Sequence, residues 1–128
     1  MIHVSAPGRA GIIGNPSDIY GGSVISSAVG ERAEVSLRPN SRLIFDTGGH
    51  MAEIDGPDSL EFGGSLPYLD IARAVWRYLT GDDRRCMAGI EIDPEATFHL
   101  RAKTTIPMRA GCAGSTAMLA SILAAMLA

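Results

Sequence analysis

Residues 106–118 read Ile-Pro-Met-Arg-Ala-Gly-Cys-Ala-Gly-Ser-Thr-Ala-Met, and this stretch decides the fold. Before it runs a strand-like segment, Phe98 to Pro107. After it, Ser115 to Ala128 is rich in helix formers. A strand, a small-residue loop and a helix follow one another. Gly111 and Gly114 allow close approach of backbone to a ligand, and Ser115 has the chemistry of an N-cap. The free amides and dipole of a helix start then make an anion site from backbone alone. The expected guest is a phosphate. The loop is not a Walker A loop, because no lysine follows Gly114. From the loop alone, an ordinary turn before a buried helix is an equal reading.

The N-terminal segment 6–22, APGRAGIIGNPSDIYGG, holds five glycines and two prolines, which excludes a regular helix or a long strand. It pairs apolar Ala10, Ile12 and Ile13 with a dense polar set: Arg9, Asn15, Ser17, Asp18 and Tyr20. A polar glycine-rich turn beside a short apolar strand suits a ligand wall.

Together the two segments resemble the GHMP kinases. The first motif of that superfamily is similar to Ala6, Pro7, Gly8, Arg9, Gly14 and Asp18. The second, a phosphate loop, is similar to Pro107, Gly111, Gly114, Ser115, Thr116 and Ala117. The turn at 14–22 with the loop at 111–115, about ninety residues apart, looks most like the glucuronokinase branch. There are departures. Cys112 replaces the usual leucine, Arg109 stands where many members have glycine, and Asn15-Pro16 replaces the Glu-His pair of galactokinases. The third, glycine-rich motif is absent.

The resemblance implies an α+β fold, with a mixed or antiparallel sheet of about five or more strands under helices at 65–80 and 114–128. It implies that residues 1–128 are the N-terminal ATP-binding domain of a longer kinase that uses ATP and Mg²⁺. The phosphates would sit on Gly111, Ala113, Gly114, Ser115 and Thr116, with Ser115 also toward the metal. Arg9 would be the catalytic contact, orienting the acceptor or stabilising charge on the phosphoryl group. Asn15, Ser17, Asp18 and Arg109 would face the acceptor. Arg109 suits a uronate carboxylate, although it could equally touch a phosphate or only solvent. Asp18 could instead close an Asx turn. Segment 57–68 is a candidate for the adenine pocket.

After Cys112 there is no Asp, Glu, His, Lys or Arg. The family's Mg²⁺-binding glutamate and usual catalytic aspartate are expected beyond the loop helix, so residues 1–128 alone are expected to be inactive. Two rival readings stand beside the kinase. A dinucleotide-binding domain is disfavoured, because Gly8, Gly11 and Gly14 have the wrong spacing and no helical pattern follows them. A sensor of sugar or nucleotide on the same fold remains open.

Composition agrees with a soluble intracellular protein, expected in the cytoplasm. The formal charge is −3, with 20% charged and 46% hydrophobic residues. No basic patch points to nucleic acid. The final apolar run of about fourteen residues is too short for a membrane span. Two cysteines are too few for a disulfide framework or zinc site, and the three histidines lack metal spacing.

Coarse patterning predicts short strands at 2–6 and 9–14, a buried strand at 23–29, and strands at 32–38, 88–93 and 96–104. It predicts a hairpin of 42–46 with 51–55 about Gly48-Gly49, and a loop at 56–64. Ser65 would cap the first helix, with Pro67 in its first turn, Gly81 at its end and Tyr68 and Trp76 packed inward. The last helix is apolar nearly all round, so it is expected to be central and buried. Any face left open there would favour self-association.

Overall fold

The computed structural model describes residues 1–63, 69–81 and 92–128. Among them five strands and two helices succeed one another: β1 (Ile2–Ile13), β2 (Ile25–Pro39), β3 (Ile44–Thr47), β4 (His50–Glu53), α1 (Asp70–Thr80), β5 (Phe98–Thr104) and α2 (Gly114–Met126). The strands form one sheet in the order β1-β2-β5-β3-β4. All neighbours are antiparallel except β3 and β5, which run parallel. The sheet is therefore mixed, as expected.

Period-two patterning explains its two faces. Val35, Phe45, Leu100 and Ala102 are buried beneath the helices, whereas Glu34, Arg101 and Lys103 project into water. Lys103 pairs with Glu34 at 2.8 Å and Arg101 with Asp46 at 3.4 Å across that outer face. Lys103 holds the Glu34 carboxyl below the usual carboxylate range, first by its hydrogen bond and then by its charge. The core joins Val35, Phe45 and Leu100 of the sheet to Trp76 and Leu79 of α1 and Ile122 of α2. Trp76 meets Phe98 edge-on at 5.2 Å between ring centroids, a favoured aromatic geometry.

The strands near the N-terminus are longer than their patterning predicts. Segments 2–6 and 9–14 join into the single strand β1, which pairs with β2 throughout. Pro7 and Gly8 do not break it, because the ladder absorbs them. From Pro7↔Arg32 to Arg9↔Ala28, β1 advances two residues while β2 advances four. The excess, Val29 to Glu31, bulges opposite Gly8. The predicted buried strand at 23–29 is corrected. It merges into β2, and Ile25 is 59% exposed because this end pairs only with β1 and has no layer above it. The two strands continue outward as a ribbon that ends in the turn at 14–22.

Gly48 and Gly49 both have positive φ, 59° and 83°, as a tight hairpin between β3 and β4 requires. A 3₁₀ turn, Pro57–Leu60, interrupts the predicted loop. Helix α1 begins at Asp70. Ser65, Pro67 and Tyr68 lie outside the described residues, as does most of the predicted strand 88–93, while Ile92 and Asp93 are not strand. Gly81 ends α1, its N–H bonding Arg77 O at 2.9 Å. His99 is half-buried and its Nδ1 lies 2.9 Å from Arg38.

Helix α2 lies over β1 and β2 and beside α1. Ala117, Ser121, Ile122, Ala125 and Met126 are buried, but Leu119, Ala120 and Ala124 are open. Its apolar surface is thus covered on one side, not all round.

Leu100 sits on the central strand and is fully buried. Leu100→Ala should lower stability by about 2–5 kcal/mol, the usual range for opening such a cavity. Denaturant unfolding followed by tryptophan fluorescence measures it through Trp76. A loss below about 1 kcal/mol would show that β5 is not the spine of the core.

Candidate functional site

Central placement of β5 is what positions the site. The strand is flanked by β2 and β3, so its end at Thr104 is held from both sides. The chain then leaves the sheet through Thr105 and Ile106 and turns through 107–113 into α2. Ile106 is buried and closes a small second core with Ala33 and Ala117 beneath the loop. Gly114 lies over it, where a Cβ would stand 3.3 Å from Ile106 Cγ2.

The loop backbone is unusual. Arg109, Gly111 and Ala113 all have positive φ, at 58°, 72° and 52°. For a non-glycine residue this conformation costs on the order of 1–3 kcal/mol. Alternate left-handed residues turn successive amides toward one side, which is how backbone nests capture anions. The expected cap at Ser115 is corrected. Ala113 is the N-cap, in the left-handed conformation and with no side-chain cap bond, so Ser115 lies inside the first turn with its hydroxyl outward. No N–H from Gly111 to Thr116 meets an acceptor among the described residues. Six amides without acceptors, the start of a helix of thirteen residues and the exposed Ser115 and Thr116, whose hydroxyls have no partner among the described residues, are therefore gathered at this end of α2.

The first motif meets this loop at one point. Arg9 N–H donates to Cys112 O at 2.9 Å. Gly8, beside it, is buried. A Cβ at Gly8 would stand 2.8 Å from Val29 Cγ2, 3.0 Å from Cys112 O and 3.3 Å from Ile106 Cγ1. Only glycine lets the loop rest on β1. Motif likeness singled out Gly8, but its reason is steric and depends on contacts about a hundred residues away in the chain.

The Arg9 side chain is exposed beside the loop, and Arg109 is exposed on it. Every other described lysine or arginine has a partner. Arg32 bonds Ser5, Arg38 meets His99, Arg42 pairs with Glu53 and Arg73 with Asp70. Arg77 stacks on Phe62, while Arg101 and Lys103 pair across the sheet. Only the side chains of Arg9 and Arg109 lack one among the described residues.

The turn at 14–22 lies farther out. Five residue steps of ribbon carry the chain from Arg9 to Gly14, about 16 Å of strand. Gly14 and Gly21 have positive φ, 84° and 76°, and the Asn15–Pro16 peptide is cis. The Ser17 hydroxyl donates to Gly14 O, and Gly22 N–H donates to Ser17 O at 2.9 Å. Ser17 thus staples the turn and has less freedom to face a substrate. Asp18 is exposed and closes no Asx turn. Its carboxylate has no partner among the described residues. Asn15 packs across Gly11, its Cβ 3.1 Å from where a Cβ would be. Loop and turn are joined by the ribbon and do not touch through these side chains.

No cluster of three His, Cys, Asp or Glu is placed for a metal ion among the described residues. A magnesium ion bound with a nucleotide could take the Ser115 hydroxyl and the nucleotide's own oxygens. No described helix is long and apolar enough to cross a membrane.

Comparison with known proteins agrees with this geometry. The chain is 28% identical over 130 residues to glucuronokinase 1 of Arabidopsis thaliana and, equally, to probable glucuronokinase 2 of that plant. Each match takes 93% of this chain and 34% of the relative, so the chain spans about a third of their length. No family model matches. The fold is shared with the Methanococcus jannaschii mevalonate kinase, at TM-score 0.75 and 14% identity over 98% of this chain and 39% of that one. It is shared equally with the D-glycero-D-manno-heptose 1-phosphate kinase of Bacteriodes thetaiotaomicron, at TM-score 0.76 and 18% identity over 98% of this chain and 40% of that one. The Lactococcus lactis galactokinase, solved with galactose, gives TM-score 0.68 and 24% identity over 94% of this chain and 30% of that one. Motifs, sheet order and sequence likeness converge: the chain is similar to the GHMP kinases in sequence and shares their fold.

Proposed function

We propose that the protein is an ATP-dependent kinase that moves the γ-phosphoryl group to a hydroxyl of a small acidic sugar. Glucuronate, phosphorylated at its anomeric hydroxyl, is the favoured acceptor. One observation carries this reading: two unpartnered guanidiniums flank a loop whose six amides also lack acceptors. The amides and the helix dipole suit a polyphosphate. A second anionic group is needed to use both arginines.

Phosphoryl transfer asks for charge neutralisation and alignment more than for covalent work by the protein. The 111–116 amides would hold β- and γ-phosphates. Arg9, fixed through its own amide to Cys112, would stabilise charge on the group in transfer or hold the acceptor hydroxyl. Arg109 would bind the acceptor carboxylate in bidentate fashion. Asp18 would accept from sugar hydroxyls, with Asn15 and Ser17 shaping the turn around them. The magnesium ion, held by Ser115 with the nucleotide, would screen phosphate charge. An enzyme that draws on ATP in this way belongs in the cytoplasm.

A neutral sugar would leave one arginine unused. Mevalonate also carries a carboxylate, but likeness to the glucuronokinases and the Asn15-Pro16-Ser17-Asp18 turn favour the sugar acid. Residues 1–128 by themselves are proposed to capture polyphosphate without turnover, because no carboxylate follows Cys112. The open Leu119 face of α2 is a place where such chains would self-associate.

Coupled measurement of ADP formation by the whole enzyme against glucuronate, galacturonate, galactose, mevalonate and homoserine tests the acceptor. Glucuronate should give the highest kcat/KM, and turnover of mevalonate or homoserine alone would reject the sugar. Arg109→Ala should raise KM for glucuronate by roughly 10–100-fold, the worth of one charge-assisted contact, with KM for ATP nearly unchanged. Arg9→Ala should lower kcat by about 10²-fold. An Arg109→Ala enzyme with unaltered preference for glucuronate over galactose would overturn the carboxylate role.

A further inference from the structure

The phosphate loop is tied to two adjacent residues of β2. Where the chain leaves β5, Thr105 N–H donates to Arg32 O at 3.0 Å, and Arg32 N–H donates to Thr105 Oγ1 at 3.1 Å. Thr105 Oγ1 also lies 3.4 Å from Arg32 O, so one hydroxyl both accepts from and donates to the same residue. Thr104 Oγ1 accepts the Ile106 N–H at 3.0 Å. On the far side of the loop, Ser121 of α2 is fully buried. Its hydroxyl is shared between Ala117 O at 2.8 Å and Ala33 O at 3.3 Å. Arg32 is the first paired residue of β2 after its bulge, and Ala33 is fully buried. Between the two ties lies the loop, which in its middle accepts the Arg9 N–H at Cys112 O and packs Cys112 against the small second core.

We propose that Thr105 and Ser121 are positioning residues for the anion loop. They fix its two ends to Arg32 and Ala33, and so keep Cys112 O against Arg9 and the 111–116 amides aimed outward. The physical need is the backbone itself. Arg109 and Ala113 occupy the left-handed region without the freedom of glycine, and such residues persist only where the surroundings over-determine them. Releasing one end allows them to relax, and the amides then turn away from a common focus. The Thr105 tie is exposed, so its loss leaves the core intact. The ligand named here rests on the kinase reading, whereas the tethering does not.

Amide hydrogen exchange resolved by NMR separates these two claims. In the wild-type protein the Arg9 amide should be protected. Thr105→Val should speed its exchange by about tenfold, while ladder amides of β2 and β5 change by less than about twofold. Thr105→Ser should restore protection, because it keeps the hydroxyl. The Kd for inorganic pyrophosphate should rise by about fivefold or more in Thr105→Val and stay near wild type in Thr105→Ser, at a temperature where both are fully folded. Ser121→Ala should act in the same direction from the other end. Unchanged Arg9 exchange in Thr105→Val, or exchange quickened equally across the whole sheet, overturns the proposal. Faster Arg9 exchange with no pyrophosphate binding even in wild type upholds the tethering and rejects the phosphate reading.

Discussion

One hydrogen bond, from Arg9 N–H to Cys112 O, joins the two motif segments of the molecule. It exists because Gly8 has no side chain. Any Cβ there would meet the Cys112 carbonyl, Ile106 and Val29 at once. With the loop resting on β1, helix α2 is set over β1 and β2, and its unpaired amides open away from the core. The bulge of β2 opposite Gly8 is part of the same arrangement, since it lays Val29 against the space that a Gly8 side chain would need.

The distribution of charge follows from this geometry. Cations elsewhere in the described structure are spent on the protein itself, across the outer face of the sheet or along α1. At the loop two guanidiniums remain uncommitted, and so do the amides between them. On the proposed reading, a net acidic chain presents a local anion site, built from backbone and two arginines without a basic patch. The ribbon carries Asp18 outward from the loop, so the proposed phosphate and acceptor walls would be set apart along one pair of strands.

Much of this was legible in residue order. The alternation of Ala33, Val35 and Leu37, and of Phe98, Leu100 and Ala102, gave the two strands that form the centre of the sheet. Gly48-Gly49 marked its hairpin, and the motif residues marked the loop. Long-range pairing was not legible. Nothing local places β5 between β2 and β3, and the ties of Thr105 to Arg32 and Ser121 to Ala33 span 73 and 88 residues. The cap moved from Ser115 to Ala113 because contact with β1 sets the loop backbone, which overrides the local preference for a serine cap. The apolar run 23–29 looked like core, yet composition cannot tell a buried strand from an arm that lacks a covering layer.

The central claim is that the amides of 111–116 and the side chains of Arg9 and Arg109 form one anion site. Titrating ¹⁵N-labelled protein with ATP, and separately with inorganic pyrophosphate, tests it most directly. Saturable shifts should be largest at Gly111 through Thr116, reach the Arg9 amide, and share one Kd at all of these positions. Shifts confined to the outer sheet face around Arg101 and Lys103, or none at the loop, would contradict it.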